Sequence, residues 1–544
     1  MNANPSLACE VAIVGLGPTG AVLANLLGQR GRSVICLERD EDIYYAPKAV
    51  HFDDEAMRIF QDAGLAEAIA ASAESFEDME LLLKPGRAPV ARLSVGNQDR
   101  RYGHAGAWWF HQPTLERQLR EGLRRFPQVR TLLGWRVTAL QSQAEGVSLQ
   151  AENEAGATLR VAAQWLIGCD GGRSFVRRAS GIELASADFD EAWVVVDTRT
   201  VTGRKNASLP KRHRQVCDPT QPVTYVPLAG PYYEWQFMVV DGADEKTATD
   251  PARVRRQLAP FVNPDQVEIN RIAHYRFHAL WARRWRAGRV LLAGDSAHQM
   301  PPFLGQGMCS GLRDAHALAW RLDLLLAGRA DDQVLQDYED ERGQHVMEII
   351  QGAMFLGRII QTRSRLVAWL RNQFLLRPVG RVPLLNRWLM NTANRKRPIT
   401  AGSFGRLRPA LAGHLLPQPK VQAADGRQLL LDELLGPGFA LLTLRGGSAL
   451  DARALAELAQ RLPLRVLPVG DPSEPGSIGD RSGTLQRLFR QHRLDFILVR
   501  PDRYIHDAGR SEDFVSLVAS LGTRFMPDPH IPGKEFCSDY VEAA

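Results

Sequence analysis

The chain has 544 residues and a mass of 60.5 kDa, with 45% hydrophobic and 24% charged residues, a mean hydropathy of −0.23 and a formal net charge of +6. This length predicts two or three domains, and this composition excludes disorder. No run approaches the ~18 apolar residues of a membrane span, and the first residues lack the basic start and apolar stretch of a secretion signal. The six cysteines (9, 36, 169, 217, 309 and 537) lack paired spacing, so we expect no disulfide scaffold, no metal site and a cytoplasmic location.

Charge is unevenly distributed along the chain. Between Glu348 and Asp425 there are thirteen Lys or Arg and no acidic residue. One interpretation is a solvated helix face and a basic linker that pack on an acidic surface. Another is a positive field that attracts an anionic substrate or a pyridine nucleotide. No nucleic-acid recognition motif accompanies the charge, so we expect no nucleic-acid partner.

The N-terminal segment predicts a strand, a glycine turn, a helix and a second strand. The first strand covers Glu10–Val14, Pro18 takes the first helical position, the helix continues through Ala21–Leu27, and the second strand covers Ser33–Leu37. This βαβ order implies a parallel sheet buried on both faces. Another helix is expected over Asp54–Ala63.

Later segments predict an inserted sheet and a separate C-terminal unit. Aromatic, β-branched and turn-forming residues in 81–110 and 185–275 predict an antiparallel sheet inserted into an α/β domain made of 1–80, 111–184 and 276–376. That domain is expected to include a strand at Arg289–Leu292, a helix at Gly311–Leu326 and long helices over 334–375. Residues 377–420 are expected to be a basic linker. Residues 421–544 are expected to form another α/β domain, with strands at 429–444, 464–469 and 495–499.

A glycine fingerprint, Gly15-Leu16-Gly17-Pro18-Thr19-Gly20, lies between the first two strands. In such a turn Gly15 permits the tight bend, Gly17 lets the backbone approach a pyrophosphate, and Gly20 lets helix and strand pack closely. The helix N-terminus offers free N–H groups to phosphates. Glu38, at the end of the second strand, can accept hydrogen bonds from both hydroxyls of an adenosine ribose. These features predict a dinucleotide site without distinguishing FAD from NAD.

Two further turns resemble a known family. Gly168-Cys169-Asp170-Gly171-Gly172 follows one apolar strand, and Ala293-Gly294-Asp295-Ser296 follows another, with Gly305-Gln306-Gly307 beyond it. Each alone is typical of an Asp that caps the next helix. Together with the fingerprint, and in this order, they resemble the motifs of the single-component FAD-dependent aromatic hydroxylases, the class A flavoprotein monooxygenases, over about residues 10–330.

The resemblance implies a Rossmann-like FAD-binding domain and a set of cofactor contacts. Asp295 would hydrogen-bond the ribityl chain of FAD, the glycines around Gln306 would turn backbone N–H groups to the flavin, and Asp170 would serve both FAD and NAD(P)H. Gln112 matches the flavin-contacting glutamine of the family. The same comparison places Arg39, Lys48 and Met308 near the cofactor. Because there is no second glycine fingerprint, NADH or NADPH would visit the same cleft as a co-substrate.

The chain departs from the family pattern at two positions. Lys48 stands where relatives commonly have Arg. A bidentate guanidinium contact with a phosphate or a substrate therefore becomes a contact with a single ammonium group. Cys309 stands where relatives usually have Asn, which puts the side-chain contact at that position in doubt. A redox role for Cys309 is not expected, since no partner cysteine is nearby in the sequence.

Within the class, residues 47–55, the Cys217-Asp218-Pro219 turn and the chain length look similar to 3-(3-hydroxyphenyl)propionate hydroxylases. Residues beyond about 415 are similar to the thioredoxin-like domain of the phenol-hydroxylase branch. Because this segment lacks a CxxC motif, we interpret it as structural or oligomer-forming, which leaves a homodimer open.

The family chemistry implies ortho-hydroxylation of a phenolic substrate with O₂ through an FAD C4a-hydroperoxide. Such a site should exclude water, align the ring and take up the phenol proton. His51, beside Asp53, is the candidate base or relay, or else a packing or capping residue. Tyr225, Trp235 and Phe237 are candidate pocket walls, or else sheet core. Met300, Pro302 and Phe303 should lie on the substrate side of the flavin. A cation such as Lys48, or an Arg of the inserted sheet, would bind a substrate carboxylate.

Other functions remain to be distinguished at this stage. Hydroxylases of resorcinols, other phenols or hydroxylated heteroaromatics share every motif above. A flavin halogenase shares the fold, but the Trp-x-Trp-x-Ile-Pro stretch of halogenases is not found. A flavin-dependent reductase and a flavin-bearing binding protein are the other hypotheses.

Overall fold

The structure is a computed structural model that describes residues 6–43, 49–96, 100–393, 396–444, 450–473, 476–521 and 524–525, with the backbone alone for 391–393. In chain order, the strands are β1 (Ser6–Val14), β2 (Val34–Glu38), β3 (His51–Asp53), β4 (Glu74–Ser75), β5 (Asp78–Leu82), β6 (Ala91–Ser94), β7 (Ala107–Trp109), β8 (Val129–Leu133), β9 (Arg136–Ser142), β10 (Val147–Glu152), β11 (Thr158–Gly168), β12 (Leu184–Thr200), β13 (His213–Val216), β14 (Val223–Pro227), β15 (Tyr232–Met238), β16 (Val267–Ala282), β17 (Arg286–Ala287), β18 (Val290–Leu292), β19 (His298–Gln299), β20 (Lys420–Gln422), β21 (Gln428–Leu430), β22 (Phe439–Leu444), β23 (Leu464–Val469), β24 (Phe496–Val499) and β25 (Ile505–Gly509).

The α-helices alternate with these strands. They are α1 (Pro18–Gln29), α2 (Asp54–Asp62), α3 (Ala66–Ser72), α4 (Gln112–Gly122), α5 (Phe175–Ala179), α6 (Glu245–Ala248), α7 (Pro251–Leu258), α8 (Gly307–Leu326), α9 (Gln333–Ile360), α10 (Arg365–Arg371), α11 (Arg377–Arg381), α12 (Pro383–Ala393), α13 (Leu431–Leu435), α14 (Ala452–Arg461), α15 (Thr484–His492) and α16 (Phe514–Ser520). Among the described helices, none is long and apolar enough to cross a bilayer.

The first large sheet has the order β17-β18-β11-β1-β2-β8, with β10 and β9 attached to β11. Strands β18, β11, β1, β2 and β8 pair in parallel, and the side chains of β1 are buried from Val11 to Val14. The parallel arrangement places the carboxyl ends of β1, β11 and β18 at one edge. The three glycine turns follow these three strands, so the topology brings them together.

The second large sheet has the order β19-β16-β12-β15-β14-β13-β5-β6. Because alternate side chains of a strand point to opposite faces, its two faces differ in character. One face packs on α7 through a cluster of apolar side chains. We call the other the inner face; it carries Asp197, Thr224, Val226, Glu234 and Gln236. A three-stranded sheet, β3-β7-β4, packs against one end of the inner face through Trp109 and Val226.

The C-terminal unit has a four-stranded sheet of order β23-β22-β24-β25, in which only β22 and β23 pair in parallel. The continuous strand expected over 429–444 is wrong, since α13 separates β21 from β22. The reason is local: the Glu433 carboxylate accepts the Leu430 N–H and caps α13, and Gly436, with φ of +74°, ends it.

The segment expected to be a basic linker, 377–420, contains α11 and α12 and then an irregular stretch. Several of its side chains are buried, including Ile399, Leu411, Leu415 and Leu416. The helices expected over 334–375 are interrupted after Ile360, and a short π-helical stretch at 372–376 joins α10 to α11. The segment therefore packs onto both of the units that it connects.

Candidate active site

The first glycine turn lies between β1 and α1, and its glycines meet different constraints. Gly15 has φ of +97°, and a Cβ atom placed there would lie 2.4 Å from the Cys169 carbonyl oxygen. A Cβ on Gly20 would lie 2.1 Å from the Gly15 carbonyl oxygen. A Cβ on Gly17 would meet no atom within 4 Å. Packing therefore requires glycine at 15 and 20, whereas Gly17 borders open space at the N-terminus of α1, where free N–H groups can bind phosphate.

Glu38 lies at the end of β2, directly beside this turn. One carboxylate oxygen accepts the Leu16 N–H at 2.7 Å, and the other accepts the Asp40 N–H at 3.2 Å. The next residue, Arg39, is exposed and lies 3.6 Å from the Asp40 carboxylate. Lys48 lies outside the residues that the structure describes.

The second and third turns touch the first. Gly15 packs on Cys169 and Asp170, while Gly294 and Gly311 both pack on Thr19 of α1, so closely that a Cβ on either would lie within 2.7 Å of its hydroxyl. Such contacts bring the three turns that the sequence singled out to one place. The residues that carry the predicted phosphate, ribose and ribityl contacts are thus neighbours.

Two acids of these turns have oxygens available to a ligand. Asp170 Oδ2 accepts the Val176 N–H at 3.0 Å, and Asp170 Oδ1 is buried with no hydrogen-bond partner among the described residues. Asp295 is exposed. A buried carboxylate oxygen without a donor costs free energy, which a hydroxyl-bearing ligand would recover.

Asp314 of α8 binds the third glycine turn, the one that contains Gly294 and Asp295. Its carboxylate accepts the Gly294 N–H at 2.9 Å and contacts His298 Nε2 at 2.7 Å and Arg342 Nε at 2.8 Å. Burial alone would raise the pKa of Asp314, but His298 and Arg342 outweigh burial and lower it to about 2. The carboxylate is therefore ionised and fixes the backbone next to Asp295.

The Gly305-Gln306-Gly307 turn precedes α8 and lies against His51. Gly305 has φ of +63°, and its carbonyl oxygen lies 3.4 Å from His51 Nδ1. The His51 ring also makes edge contacts with Phe76 and Trp109. Burial lowers the pKa of His51, so the imidazole is neutral near pH 7. The structure thus brings His51 to the turn, in contact with both an aromatic wall and a backbone carbonyl.

The catalytic assignment of Asp53 does not fit its surroundings. Asp53 Oδ1 accepts the Ala56 N–H and caps α2, while Oδ2 pairs with Arg313 and with Lys396 Nζ at 2.7 Å. Burial would raise its pKa, but Arg313 and Lys396 hold the pKa well below its ordinary value. Asp53 is thus a permanently ionised helix cap rather than a group that exchanges protons.

A buried chain of polar contacts joins the Gly305-Gln306-Gly307 turn to the C-terminal unit. Arg313 donates to Gln306 Oε1 at 2.9 Å and to Glu55 Oε2 at 2.7 Å, and the Tyr504 hydroxyl donates to Glu55 Oε1 at 2.6 Å. The sequence analysis missed these residues. Arg313 follows Gln306 by two helical turns, a spacing that would have placed them on one face, but no local pattern indicates Lys396 or Tyr504.

The remaining predicted cofactor residues lie around the same turn. Gln112, the first residue of α4, accepts the Ala49 N–H at 2.8 Å and donates to Glu116 at 2.7 Å. A Cβ on Gly307 would lie 3.9 Å from Met300, and Met308 packs against the main core. The predicted contacts of Gln112, Gly307 and Met308 with a flavin remain predictions.

Phe303 forms an aromatic wall with the inner face of the second sheet. Its ring lies 6.1 Å from Trp193, 6.3 Å from Phe277 and 6.2 Å from Phe189. Pro302 opens the short 3₁₀ turn that carries Phe303, and Met300 precedes it. The three residues predicted on the substrate side therefore lie together at one end of the inner face.

The predicted pocket walls Tyr225, Trp235 and Phe237 lie elsewhere. They pack in the apolar cluster under α7, on the face opposite the inner face, with the Tyr225 and Trp235 rings 4.5 Å apart. The alternative left open by the sequence, sheet core, is the one observed. The alternation of residues along a strand predicts that Trp235 and Phe237 share one face of the sheet. That alternation does not indicate which face points to the glycine turns.

Trp109 and His213 bound the other end of the inner face. The Trp109 ring lies 5.8 Å from His51 and 5.7 Å from His213, and it packs on Val226. Burial lowers the pKa of His213 to about 4. The inner face is thus bounded at one end by Phe303, which belongs to the 302–304 turn, and at the other by Trp109. Trp109 contacts His51, which in turn lies against Gly305.

Comparison with known proteins agrees with this geometry. A family profile described as FAD binding domain matches residues 8–353, and one described as HcaD C-terminal domain matches residues 413–524. The chain is 34% identical over 528 residues to a "3-(3-hydroxy-phenyl)propionate/3-hydroxycinnamic acid hydroxylase" of Burkholderia cenocepacia, covering 93% of this chain and 94% of the relative. The chain belongs to the FAD-dependent aromatic hydroxylases.

Two other comparisons extend the match over nearly the whole hydroxylase chain. A "probable NADH-specific resorcinol 4-hydroxylase" of Rhodococcus jostii is 34% identical over 552 residues, covering 96% of this chain and 97% of the relative. The crystal structure of the flavin-dependent monooxygenase PieE, in complex with FAD and substrate, has a TM-score of 0.79 at 22% identity and covers 95% of this chain and 99% of that one. The latter match supports the shared fold.

The residues present fit the FAD that this family binds. The open space at Gly17, the unpartnered Asp170 Oδ1 and the exposed Asp295 offer N–H groups for phosphate and carboxylates for hydroxyls. Cys309, the departure from the family pattern, is buried, and its thiol lies 3.8 Å from the Gly305 carbonyl oxygen. Burial raises the pKa of Cys309 to about 12, so the thiol stays protonated.

Proposed function

We propose that this hydroxylase uses NADH or NADPH and O₂ to hydroxylate a phenolic substrate ortho to its hydroxyl, in aromatic catabolism. The observation that carries the proposal is the inner face, bounded by Phe303 and Trp109 beside the converged glycine turns. The preferred substrate is of the 3-(3-hydroxyphenyl)propionate type, as named for the Burkholderia relative. The alternative is another phenol, a resorcinol or a hydroxylated heteroaromatic; the name of the Rhodococcus relative favours a resorcinol.

FAD would be held by the three turns. Gly15, Gly17 and Gly20 would admit the pyrophosphate, Glu38 would bind the ribose, and Asp295 the ribityl chain, with the cofactor contacts of Gln112, Asp170 and the 305–308 turn as expected above. FAD supplies hydride acceptance from the nicotinamide and the activation of O₂. Arg39 and Lys48 remain expected contacts from the family resemblance alone.

The protein's own residues would orient the ring and exclude water. Phe303 and Phe277, which are half-buried and pack on the buried Trp193, would present ring faces and edges to an aromatic substrate. Such aromatic pairs contribute about 0.5–1.5 kcal/mol each beyond the area buried. His51, neutral and next to the turn, would exchange a hydrogen bond with the substrate hydroxyl. Asp53 would serve as a positioning residue, since its oxygens hold α2, Arg313 and Lys396.

Oxidation of NADH and of NADPH by the FAD-loaded protein tests this function. With a suitable phenol we expect faster oxidation, equal consumption of O₂ and formation of a catechol. A panel should contain 3-(3-hydroxyphenyl)propionate, resorcinol and a hydroxypyridine. Chloride-dependent product would favour a halogenase, and turnover without O₂ a reductase; either would overturn the proposal.

The proposed domain organisation keeps the ranges expected from the sequence. Residues 1–80, 111–184 and 276–376 would form the FAD-binding domain, 81–110 and 185–275 the substrate sheet, 377–420 the connection, and 421–544 a thioredoxin-like domain. The order β23-β22-β24-β25, with one parallel pair and two antiparallel pairs, supports the thioredoxin-like assignment. The five described cysteines are free, which supports a reducing, cytoplasmic location.

The protein would form a homodimer through the outer face of α10–α12. Nine large apolar side chains there and at the end of α9 are 42–73% exposed: Phe355, Leu366, Val367, Trp369, Leu370, Phe374, Val382, Leu384 and Trp388. The opposite face of these helices is packed in a core that includes Leu376 and Val379. Helices that are apolar all round are normally buried, so we expect the outer face to be covered.

The composition and the exposed area of the outer face of α10–α12 favour a second copy of the chain as the partner that covers it. The exposed polar side chains around this face are mainly arginines, with no lysine between residues 349 and 395, which is typical of protein interfaces. Arginine and aromatic rings on one patch can stack on each other across a two-fold axis. The nine side chains expose on the order of 1,000 Å², against ~800 Å² per partner in a standard interface.

A further inference from the structure

A row of polar side chains crosses the inner face. Gln215, Thr224 and Gln236 are register neighbours on β13, β14 and β15. The Thr224 hydroxyl donates to Gln215 Oε1 at 2.8 Å, and Gln236 Nε2 donates to Glu234 Oε1 at 2.5 Å. Glu234 in turn is the register neighbour of Asp197 on β12. The floor between the two aromatic ends is thus a connected hydrogen-bonding surface.

The row ends in a pair of carboxyl groups, Asp197 and Glu234, which we call the carboxyl pair. Asp197 is 7% exposed and Glu234 is 2% exposed. Arg271 Nη1 donates to Asp197 Oδ2 at 3.1 Å, and Arg271 also contacts the Tyr275 hydroxyl. Asp197 Oδ1 is buried and accepts no N–H or alcohol O–H of the described residues, while the Glu234 carboxyl shares a hydrogen bond with Asp197. Because each carboxylate oxygen can accept two hydrogen bonds, Asp197 can still accept one from a substrate hydroxyl.

The carboxyl pair lies on the inner face between its two aromatic ends. Val226, the register neighbour of Glu234, packs on Trp109, which contacts His51. Trp193, on the same strand face as Asp197, contacts Phe303. Tyr232, on the same face as Glu234, stacks on His111 at 4.2 Å, next to Gln112. Residues on the same face as the pair therefore contact Phe303, the start of α4 and, through Trp109, His51.

We propose that Asp197, supported by Glu234 and in place of the candidate His51, binds the substrate hydroxyl and accepts its proton. The phenolic O–H bond breaks, the proton bonds to Asp197 Oδ1, and the electron pair stays on the phenolate oxygen, which activates the ortho carbon. Glu234 holds the second proton of the pair and stabilises the arrangement by donating to Asp197. This role deepens the proposed function and rests on it for the reaction, but not for binding.

The charges around the pair suit this role. Arg271 and Tyr275 face it from β16, and Gln236 from its own strand. Burial raises the pKa of Glu234 to about 8, with Asp197 adding to the effect. Burial raises the pKa of Asp197 to about 6, with Arg271 opposing it. Near pH 7 one carboxyl is therefore protonated and the other is a base of pKa close to the working pH, where general bases act best.

Binding of an ionised phenol tests the proposal without turnover. A dinitrophenol is an anion throughout pH 5–9, so it can share the site with the carboxyl pair only when an added proton neutralises Asp197. We expect its Kd for the FAD-loaded protein to rise about tenfold per pH unit above the pKa of Asp197, as measured by flavin fluorescence. The dependence of Kd on pH should vanish in Asp197→Asn. In Glu234→Gln it should begin at higher pH, because an amide N–H stabilises the Asp197 carboxylate less than the carboxyl O–H does.

A matched control and a kinetic measurement complete the test. Asp190→Asn changes an exposed carboxylate of the same strand, paired with Arg276, and should leave the slope unchanged. With an ordinary phenol, Asp197→Asn should lower kcat about 100-fold, while a nitrophenol that is already ionised should lose far less. If Asp197→Asn fails to fold, the conservative Glu234→Gln variant carries the same measurements.

The outcomes separate this proposal from the proposed function. A pH-independent Kd in the native protein, or an unchanged slope in Asp197→Asn, would overturn the role of Asp197 even if the protein hydroxylates phenols. Proton-linked binding without O₂-dependent hydroxylation would support the carboxyl pair as a hydroxyl site and overturn the proposed function.

Discussion

Single glycines in the first turn serve two distinct purposes. Gly20 is required because Gly15 packs against it, whereas Gly17 is required only if a ligand approaches the N-terminus of α1. A substitution at either position should therefore impair FAD binding, but through different physical causes. The two effects can be separated by measuring stability without the cofactor.

Gly20→Ala should destabilise the apoprotein by about 1–3 kcal/mol, because its Cβ would overlap a backbone oxygen. Gly17→Ala, the matched control, should leave the apoprotein as stable as the native chain but raise the Kd for FAD at least tenfold. Denaturant unfolding of the apoproteins and FAD fluorescence titrations measure the two quantities. Equal loss of apoprotein stability in both variants would contradict this division.

Asp295 is the second residue whose role can be isolated. It is exposed, so its replacement removes a ligand contact without opening a cavity. We expect Asp295→Ala to retain less FAD after dialysis, and Asp265→Ala, an exposed acid remote in sequence, to retain the native amount. Flavin absorbance per mole of protein measures this. Unchanged flavin content in Asp295→Ala would refute the ribityl assignment.

At the scale of elements, helix α2 connects the Gly305-Gln306-Gly307 turn to the C-terminal unit. Glu55, Arg58 and Asp62 recur at helical spacing on one face. Arg58 makes a bidentate contact with Asp432 at 2.5 and 2.7 Å, and the Arg503 guanidinium donates to Asp62 at 2.6 and 3.1 Å. Through Glu55 and Arg313, the same face reaches Gln306 of that turn.

Tyr504→Phe should reveal this connection. Loss of the hydrogen bond to the ionised Glu55 carboxylate should cost about 1.5–3 kcal/mol and shift the visible absorption of bound FAD, because Arg313 then holds Gln306 less firmly. Tyr225→Phe loses a bond of similar length, at 2.7 Å to the neutral Pro210 carbonyl, inside the sheet core. It should lose about 0.5–1.5 kcal/mol of stability with no spectral change. A flavin spectrum unaffected by Tyr504→Phe would argue for a purely structural hydroxyl.

The sequence predicted helices and strands correctly where neighbouring residues alone determine them. The βαβ start, the helix after Asp53 and the strand before Asp295 all follow from apolar runs and glycines, and the structure has all three. The sequence could not assign Tyr225 to the core rather than the pocket, since a strand period does not tell which face is covered. Nor could it find Lys396, because its partner Asp53 lies far away in the chain.

Across the whole molecule, buried histidines make stability depend on pH. Burial lowers the pKa of His104, His111 and His213 to about 4 and of His506 to about 3. In the unfolded chain these groups take up a proton near pH 6.5. Between about pH 6.5 and 4 the unfolded state therefore binds more protons, so stability falls as the pH is lowered. Carboxyls with raised pKa values act in the opposite direction, and the largest of these shifts are those of Asp197, to about 6, and Glu234, to about 8, two groups against the four histidines.

We expect Tm to be lower at pH 5 than at pH 7. Each such histidine contributes up to about 1.4 kcal/mol per pH unit. Replacing His506 with Asn should reduce the dependence of Tm on pH. Replacing the exposed, uncharged Gln491 with Asn, in the last turn of α15, should not. Thermal unfolding of the three proteins across this pH range checks the sign. A Tm that rises on acidification would contradict the assignment.

The apolar outer face of α10–α12 predicts the oligomeric state. Sedimentation of the native chain should give a dimer, and Trp369→Glu combined with Trp388→Glu should give a monomer. Val515→Glu, which charges a similarly exposed apolar side chain of α16, should remain dimeric. If the native chain is a monomer that binds anionic lipid vesicles, the dimer is wrong and the outer face of α10–α12 binds a membrane surface instead.

The charged face of α2 also makes a single substitution more harmful than a deletion. A chain truncated before the C-terminal unit loses the carboxylate partner of Arg58 and the guanidinium partner of Asp62, but it also opens both side chains to water. In the full chain, removal of Asp432 or Arg503 alone leaves the opposite ion enclosed and unpaired, which is strongly unfavourable. Such a variant should therefore disturb α2 more than loss of the whole unit does.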